Sequence, residues 1–121
     1  MSHLATPRKS EHTLPGHSGS WTLRSAGGNR PALIVWGTSP GDATLDRLAR
    51  SGLAVITPPL EVPLDDFLDV IREVGLGSVA FAFTETPEGD LPKALDARAI
   101  PWLHVNDNWD DVPRWCAGQL Q

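Results

Sequence analysis

Short apolar runs recur along the chain at near-even spacing, and each is followed by a polar turn and then by a stretch with helical periodicity. These runs cover residues 32–36, 53–57, 78–83 and 102–105. Continuous apolar strands are typical of a sheet that is covered on both faces, and their alternation with helices is typical of repeated βα units. The pattern therefore predicts an α/β domain whose core strands are mainly parallel.

Helical spacing of apolar residues predicts the connecting helices, at residues 42–51, 63–75, 90–97 and 111–121. Asp42 is the predicted N-cap of the first helix, and Gly52 ends it. The second helix has the most regular apolar face, which is formed by Leu64, Phe67, Leu68, Ile71 and Val74.

The N-terminal part of the chain is expected to differ from this core. Residues 1–19 have no hydrophobic period, so they are interpreted as a flexible arm before a single α/β domain at residues 20–121. Ser20–Ser25 alternates, and the turn sequence at residues 27–31 predicts a hairpin with the first core strand. The expected architecture is a three-layer, Rossmann-like or flavodoxin-like domain with an antiparallel N-terminal edge strand.

Composition indicates a cellular location and a class of partner. A chain of 121 residues is large enough for one stable core, and a single cysteine, Cys116, forms no internal disulfide, which favours a cytoplasmic location. No apolar stretch has the length of a membrane span, so we expect no membrane association. The net charge is −5, and after Arg30 there are fourteen acids against six bases. Such a body disfavours nucleic acid and favours a protein with a basic surface.

The turns that follow the core strands should share one edge of the sheet, where open α/β sheets usually bind ligands. The ligand-binding candidates there are Thr38, Ser39, Asp42, Glu61, Thr84, Glu85 and Asp107. The loop at residues 37–42 can cradle a phosphate, although it lacks both GxGxxG and a Gly-Lys-Ser/Thr ending. The favoured interpretation is a tight turn in which Asp42 caps the helix. Glu61, Glu85 and Asp107 can hold Mg²⁺ if they converge, or can be ordinary solvated acids.

A second candidate surface precedes the last helix, where a tryptophan stands among acidic and amide residues. Its members are Asn108, Trp109, Asp110 and Asp111. Aromatic anchors with charged rims are typical of protein interfaces. The alternative is that Trp109 folds back over the end of the sheet while Asp110 or Asp111 caps the helix.

Other reactive residue types add little. His104 lies within a predicted strand and Cys116 on the inward face of the last helix, so structural roles are favoured for both.

The preferred hypothesis is a non-catalytic interaction or regulatory module of the inhibitor or immunity type, with an acidic binding face and no cofactor. The alternative is a small enzyme or sensor that binds a nucleotide or sugar phosphate at the strand ends, with or without Mg²⁺. Whether the chain is catalytic stays open, and self-association is compatible with either hypothesis.

Overall fold

The computed structural model describes residues 7–13, 19–26, 31–38, 40–58, 63–74, 78–86, 89–106 and 108–119. Within these residues the strands are β1 (Arg8–Thr13), β2 (Ser20–Ser25), β3 (Ala32–Trp36), β4 (Ala54–Thr57), β5 (Val79–Phe83) and β6 (Trp102–His104). The helices are α1 (Asp42–Arg50), α2 (Leu64–Val74), α3 (Leu91–Ala97) and α4 (Val112–Gln119), and a 3-10 turn at Trp109–Asp111 precedes α4. None of these described helices has the length and apolar character needed to cross a membrane. The predicted α/β class is confirmed.

All of these strands belong to one mixed sheet, in the order β1-β2-β4-β3-β5-β6. β3 pairs in parallel with β4 on one side and β5 on the other, and β6 pairs in parallel with β5. β2 pairs antiparallel with both β4 and β1. The four core strands are therefore parallel, as predicted, and the antiparallel part is confined to the N-terminal strands.

The predicted position of Ser20–Ser25 is wrong in two respects. This segment, β2, does not form a hairpin with β3, because both sides of β3 are already paired with β4 and β5. It pairs with β4 instead, with Leu23 opposite Ile56, and β1 covers its other side. The N-terminal edge of the sheet is thus β1, which lies inside the segment interpreted as a flexible arm.

β1 carries no apolar face, which is why its pattern predicted no strand. All of its side chains are exposed, and it pairs with β2 from Arg8 opposite Ser25 to Thr13 opposite Ser20. Backbone hydrogen bonds therefore hold it, together with the stacking of the His12 ring on Trp21 at 4.4 Å. Residues 1–6 and 14–18 of the predicted arm lie outside the described residues.

Helices cover both faces of the sheet. In β3, Ala32 and Ile34 belong to one core cluster, while Leu33 and Val35 belong to the other. The first cluster is closed by apolar residues of α2 and α3, and the second by those of α1 and α4. The direction of connection reverses after β4, and right-handed crossovers then place α2 and α3 opposite α1.

Candidate functional site

Two predicted ligand-binding residues meet where β3 and β5 end. The Thr38 hydroxyl donates a hydrogen bond to Glu85 Oε1 at 3.0 Å, and both side chains are exposed. Because β3 and β5 are parallel neighbours, the loops that follow them lie side by side. The sequence prediction that Thr38 and Glu85 share one edge of the sheet agrees with this contact.

Gly37 allows these two loops to approach closely. Its φ is +110°, and a Cβ at this position would collide with the Thr84 hydroxyl. That hydroxyl and the Thr84 backbone N–H both donate to the carbonyl of Trp36, at 3.3 and 3.1 Å. Thr84, predicted as a ligand-binding residue, is therefore half-buried and already engaged in joining the loops.

The predicted role of Asp42 as the N-cap of α1 is wrong. Gly41 occupies that position in an extended conformation, with φ −63° and ψ 161°, and its carbonyl accepts the first helical hydrogen bonds. Asp42 is the first helical residue, and its carboxylate pairs with Arg24 at 2.5 Å. Asp46, one turn later, pairs with the same guanidinium at 2.7 Å. An incoming anion would meet a carboxylate here, and that carboxylate is already partnered.

Sequence reasoning missed Arg24. It is the one charged residue among the described residues that is buried, and only 7% of its side chain is exposed. Its Nε lies buried with no hydrogen-bond partner. The available signal was that Asp42 and Asp46, four positions apart on one helix face, are spaced to engage one cation on the sheet below.

Most of the other predicted ligand-binding residues lie outside the part of the chain that the structure describes. Ser39, Glu61 and Asp107 lie outside the described residues. Over the part of the chain that the structure describes, no three His, Cys, Asp or Glu side chains group so as to hold a metal ion. Of the proposed magnesium ligands, the described residues thus include Glu85 alone.

The Trp109 surface lies on the other side of α1 from the Arg24 contacts. Trp109 is half-buried and packs against the core cluster under α1 and α4. It borders a cleft of about 310 Å³ between α1 and the start of α4, whose other walls include Leu48 and Pro113. Arg47 of α1 donates to Asp110 Oδ1 at 2.7 Å across this cleft. This ion pair is exposed on both sides, so it spans the cleft but adds little to its stability.

The surface around Trp109 carries less net negative charge than its sequence suggests. Asp110 is offset by Arg47, whereas Asp111 accepts a hydrogen bond from the Asn108 amide, which is neutral. Both aspartates belong to the 3-10 turn, and Asp111 directly precedes Val112, the first residue of α4. Asp111 is exposed, and Trp109 is half-buried.

The remaining reactive residues have structural positions. Cys116 is buried in the same cluster as Val112, and burial raises the pKa of its thiol to about 11. A thiol that stays protonated at neutral pH is a poor nucleophile and a poor metal ligand. His104 is exposed on β6, the strand at the opposite edge of the sheet from β1.

Comparisons of this chain with protein-family models, with curated proteins and with solved structures find no match.

Proposed function

We propose that this chain is a non-catalytic protein-interaction module whose binding surface is the cleft beside Trp109. The observation that carries the proposal is a half-buried tryptophan bordering a cleft of about 310 Å³ with Leu48 and Pro113 in its walls. A tryptophan with one face on the core and one face accessible offers a large contact area at little entropic cost, which is why such residues are enriched among interface anchors.

The walls of the cleft support a specific kind of partner. Trp109 packs against the core cluster and the cleft is already open, so it needs little rearrangement to accept an apolar side chain. Asp111 follows Asp110 of the cleft wall in the chain, and its described hydrogen-bond partner is the neutral Asn108 amide. We therefore expect the partner to present an apolar side chain next to a lysine or arginine, as an inhibitor or immunity type of interaction requires.

The test uses the full chain immobilised against native lysate, with the retained protein identified, purified and measured again in a two-component binding assay. Trp109→Ala should speed dissociation at least tenfold, since the buried contact area resists separation. Trp115→Ala is the matched control, because Trp115 is also half-buried on the same core cluster but does not line the cleft. Equal effects of the two variants would contradict the proposal.

The charge at the rim has its own readout. Asp111→Asn should mainly slow association, by an amount that shrinks as salt rises, because exposed charges act through a field that is screened over about 8 Å at physiological ionic strength. Asp69→Asn on α2 is the control, since Asp69 is a similarly exposed acid on a helix that covers the other face of the sheet. A salt-independent effect would contradict steering by Asp111.

A second candidate is a small enzyme or sensor that binds a nucleotide or sugar phosphate at the carboxyl ends of the strands. It is favoured by the contact between Thr38 and Glu85, together with the order β4-β3-β5-β6. In chain order this is 2-1-3-4, the order of flavodoxin-like, doubly wound sheets, and in them ligands bind where the connections reverse, between the strands that correspond to β3 and β5. The Rossmann-like description is part of this proposal.

Thermal melts with ATP, glucose 6-phosphate and MgCl₂ separate the two candidates. Under the second, one of these probes raises the melting temperature of the chain and Thr38→Val abolishes the rise. Thr44→Val is the matched control, because Thr44 lines the Trp109 cleft instead. A rise that survives in Thr38→Val, or no rise with any probe, would contradict binding at this edge.

A further inference from the structure

A larger groove, of about 470 Å³, lies at the end of the sheet where β5 and β6 begin. Leu68 and Ile71 of α2 form one wall, and Val79 and Ile100 contribute apolar surface from the strand starts. Val79 and Ile100 are only partly buried, so apolar side chains remain accessible inside the groove. Neither function proposed above uses this region.

The charge of the groove lining is opposite to that of the chain. Its described lining residues include two arginines, Arg72 and Arg98, and no aspartate or glutamate. The chain as a whole has a net charge of −5. An apolar surface with guanidinium groups at its rim is complementary to a molecule that has an apolar body and one anionic group.

The turn after α3 fixes Arg98 beside the apolar surface. The backbone N–H of Ala99 donates to the Asp96 carbonyl at 3.0 Å, and that of Ile100 donates to the Leu95 carbonyl at 2.9 Å. This double hydrogen bond is the Schellman arrangement, and it requires the positive φ of 57° observed at Ala99. As a result Arg98 and Ile100 border the same groove.

Both guanidinium groups have weak competitors. Arg98 pairs with Asp65, which is 74% exposed, and it also donates to the Ala94 carbonyl at 2.9 Å. Arg72 lies 3.8 Å from Asp69 in an exposed contact. Exposed pairs of this kind contribute little, so a carboxylate that is partly shielded from water can replace Asp65 on the Arg98 fork.

We propose that this groove binds a small amphiphilic carboxylate. The apolar body would lie against Val79 and Ile100, and the carboxylate would accept hydrogen bonds from Arg98 with Arg72 alongside. Arg98 is the principal contact, because its side chain is 39% exposed and held by the turn, whereas that of Arg72 is 78% exposed.

The experiment titrates the full chain with sodium octanoate, followed by ¹H–¹⁵N NMR and by thermal melts. We expect amide shifts that cluster at Val79 and Ile100 and a rise in melting temperature. Octanamide, which has the same apolar body without the charge, should bind about tenfold more weakly, since a charge-assisted hydrogen bond is lost.

Two variants test the arginines. Arg98→Gln should weaken octanoate binding about tenfold, and Arg72→Gln should weaken it by a smaller factor. Arg50→Gln is the matched control, because Arg50 is an exposed arginine of α1 that does not line the groove, and it should leave binding within about twofold of the unsubstituted chain. Melts without ligand show whether each variant is folded, and Arg72→Gln provides the test if Arg98→Gln is not.

Three results would overturn the proposal: octanamide binding as tightly as octanoate, amide shifts scattered over the surface, or equal weakening by Arg50→Gln and both groove substitutions.

Discussion

Arg24 is more buried than Asp42 and Asp46, the two aspartates of α1 that pair with it. This difference predicts which substitution lowers the free energy of unfolding more. Only 7% of the Arg24 side chain is exposed, against 81% for Asp42 and 40% for Asp46. Removing both carboxylates leaves a guanidinium that water cannot reach. Removing the guanidinium leaves two carboxylates that water can solvate.

The magnitudes follow from this difference. Asp42→Asn combined with Asp46→Asn should lower the free energy of unfolding by about 3–5 kcal/mol, the range found when a buried charge loses its partner. Arg24→Met should cost about 1 kcal/mol or less, because it also removes the buried Nε that has no hydrogen-bond partner. The triple variant should resemble Arg24→Met, since the carboxylates matter only while the guanidinium is present.

Urea denaturation of the four proteins, with a common slope, measures these differences as shifts of the midpoint. A larger loss for Arg24→Met than for the Asp42 and Asp46 pair would refute the reasoning. Additive costs in the triple variant would also refute it, because they would show that the three residues do not act on one another.

Three further predictions concern the backbone and the buried thiol. Ala99→Gly should raise the free energy of unfolding by about 1 kcal/mol, because glycine relieves the positive φ of 57°. Ala94→Gly, in the middle of α3, should instead lower it by about 0.5–1 kcal/mol. Thermal melts of both variants give the sign. Gly37→Ala should lower the free energy of unfolding by about 2 kcal/mol or more, since φ is +110° and a Cβ would collide with the neighbouring loop. Gly118→Ala is the control in the same melts. Because Gly118 has open space around it in α4, this substitution should be neutral or stabilising. Burial raises the pKa of the Cys116 thiol from 9.0 to about 11. Because the thiol of the unfolded chain ionises first, the free energy of unfolding falls as the pH rises above 9. By about pH 10.5 it has fallen by roughly 2 kcal/mol. Cys116→Ala should lack that part of the alkaline loss, and equal pH profiles in urea denaturation would contradict it.

The core of the fold was predictable from the sequence because its signal is local. Each core strand is apolar on both faces, as at Leu33 and Ile34, since helices cover both sides of the sheet. β1 gave no such signal, because all of its side chains are exposed and its position depends on backbone pairing. The pairing of β2 with β4 could not be predicted from the local turn sequence either. It depends on the whole sheet, because both sides of β3 are taken by β4 and β5, and β2 pairs with the other side of β4.

The candidate sites were predictable only in part, for a similar reason. Thr38 and Glu85 were placed together because parallel strands end at one edge. The pairing of Arg47 with Asp110 across the Trp109 cleft joins residues 63 positions apart, and no periodicity encodes it. An arginine in a strand is expected to face solvent. Arg24 is buried instead because α1, which carries its partners Asp42 and Asp46, lies over it.

The antiparallel contact between β2 and β4 orders events during synthesis. Thr22 lies opposite Thr57, which is added 35 positions later. While the chain is being made, β1 and β2 can pair with each other but have no sheet to join until β4 has left the ribosome. α1 lies between β2 and β4 in the chain, and its Asp42 and Asp46 pair with Arg24 of β2. Completion of β4 is therefore the step that commits the N-terminal hairpin to the domain, and a pause before residue 57 would leave the pairing side of β2 open to other chains.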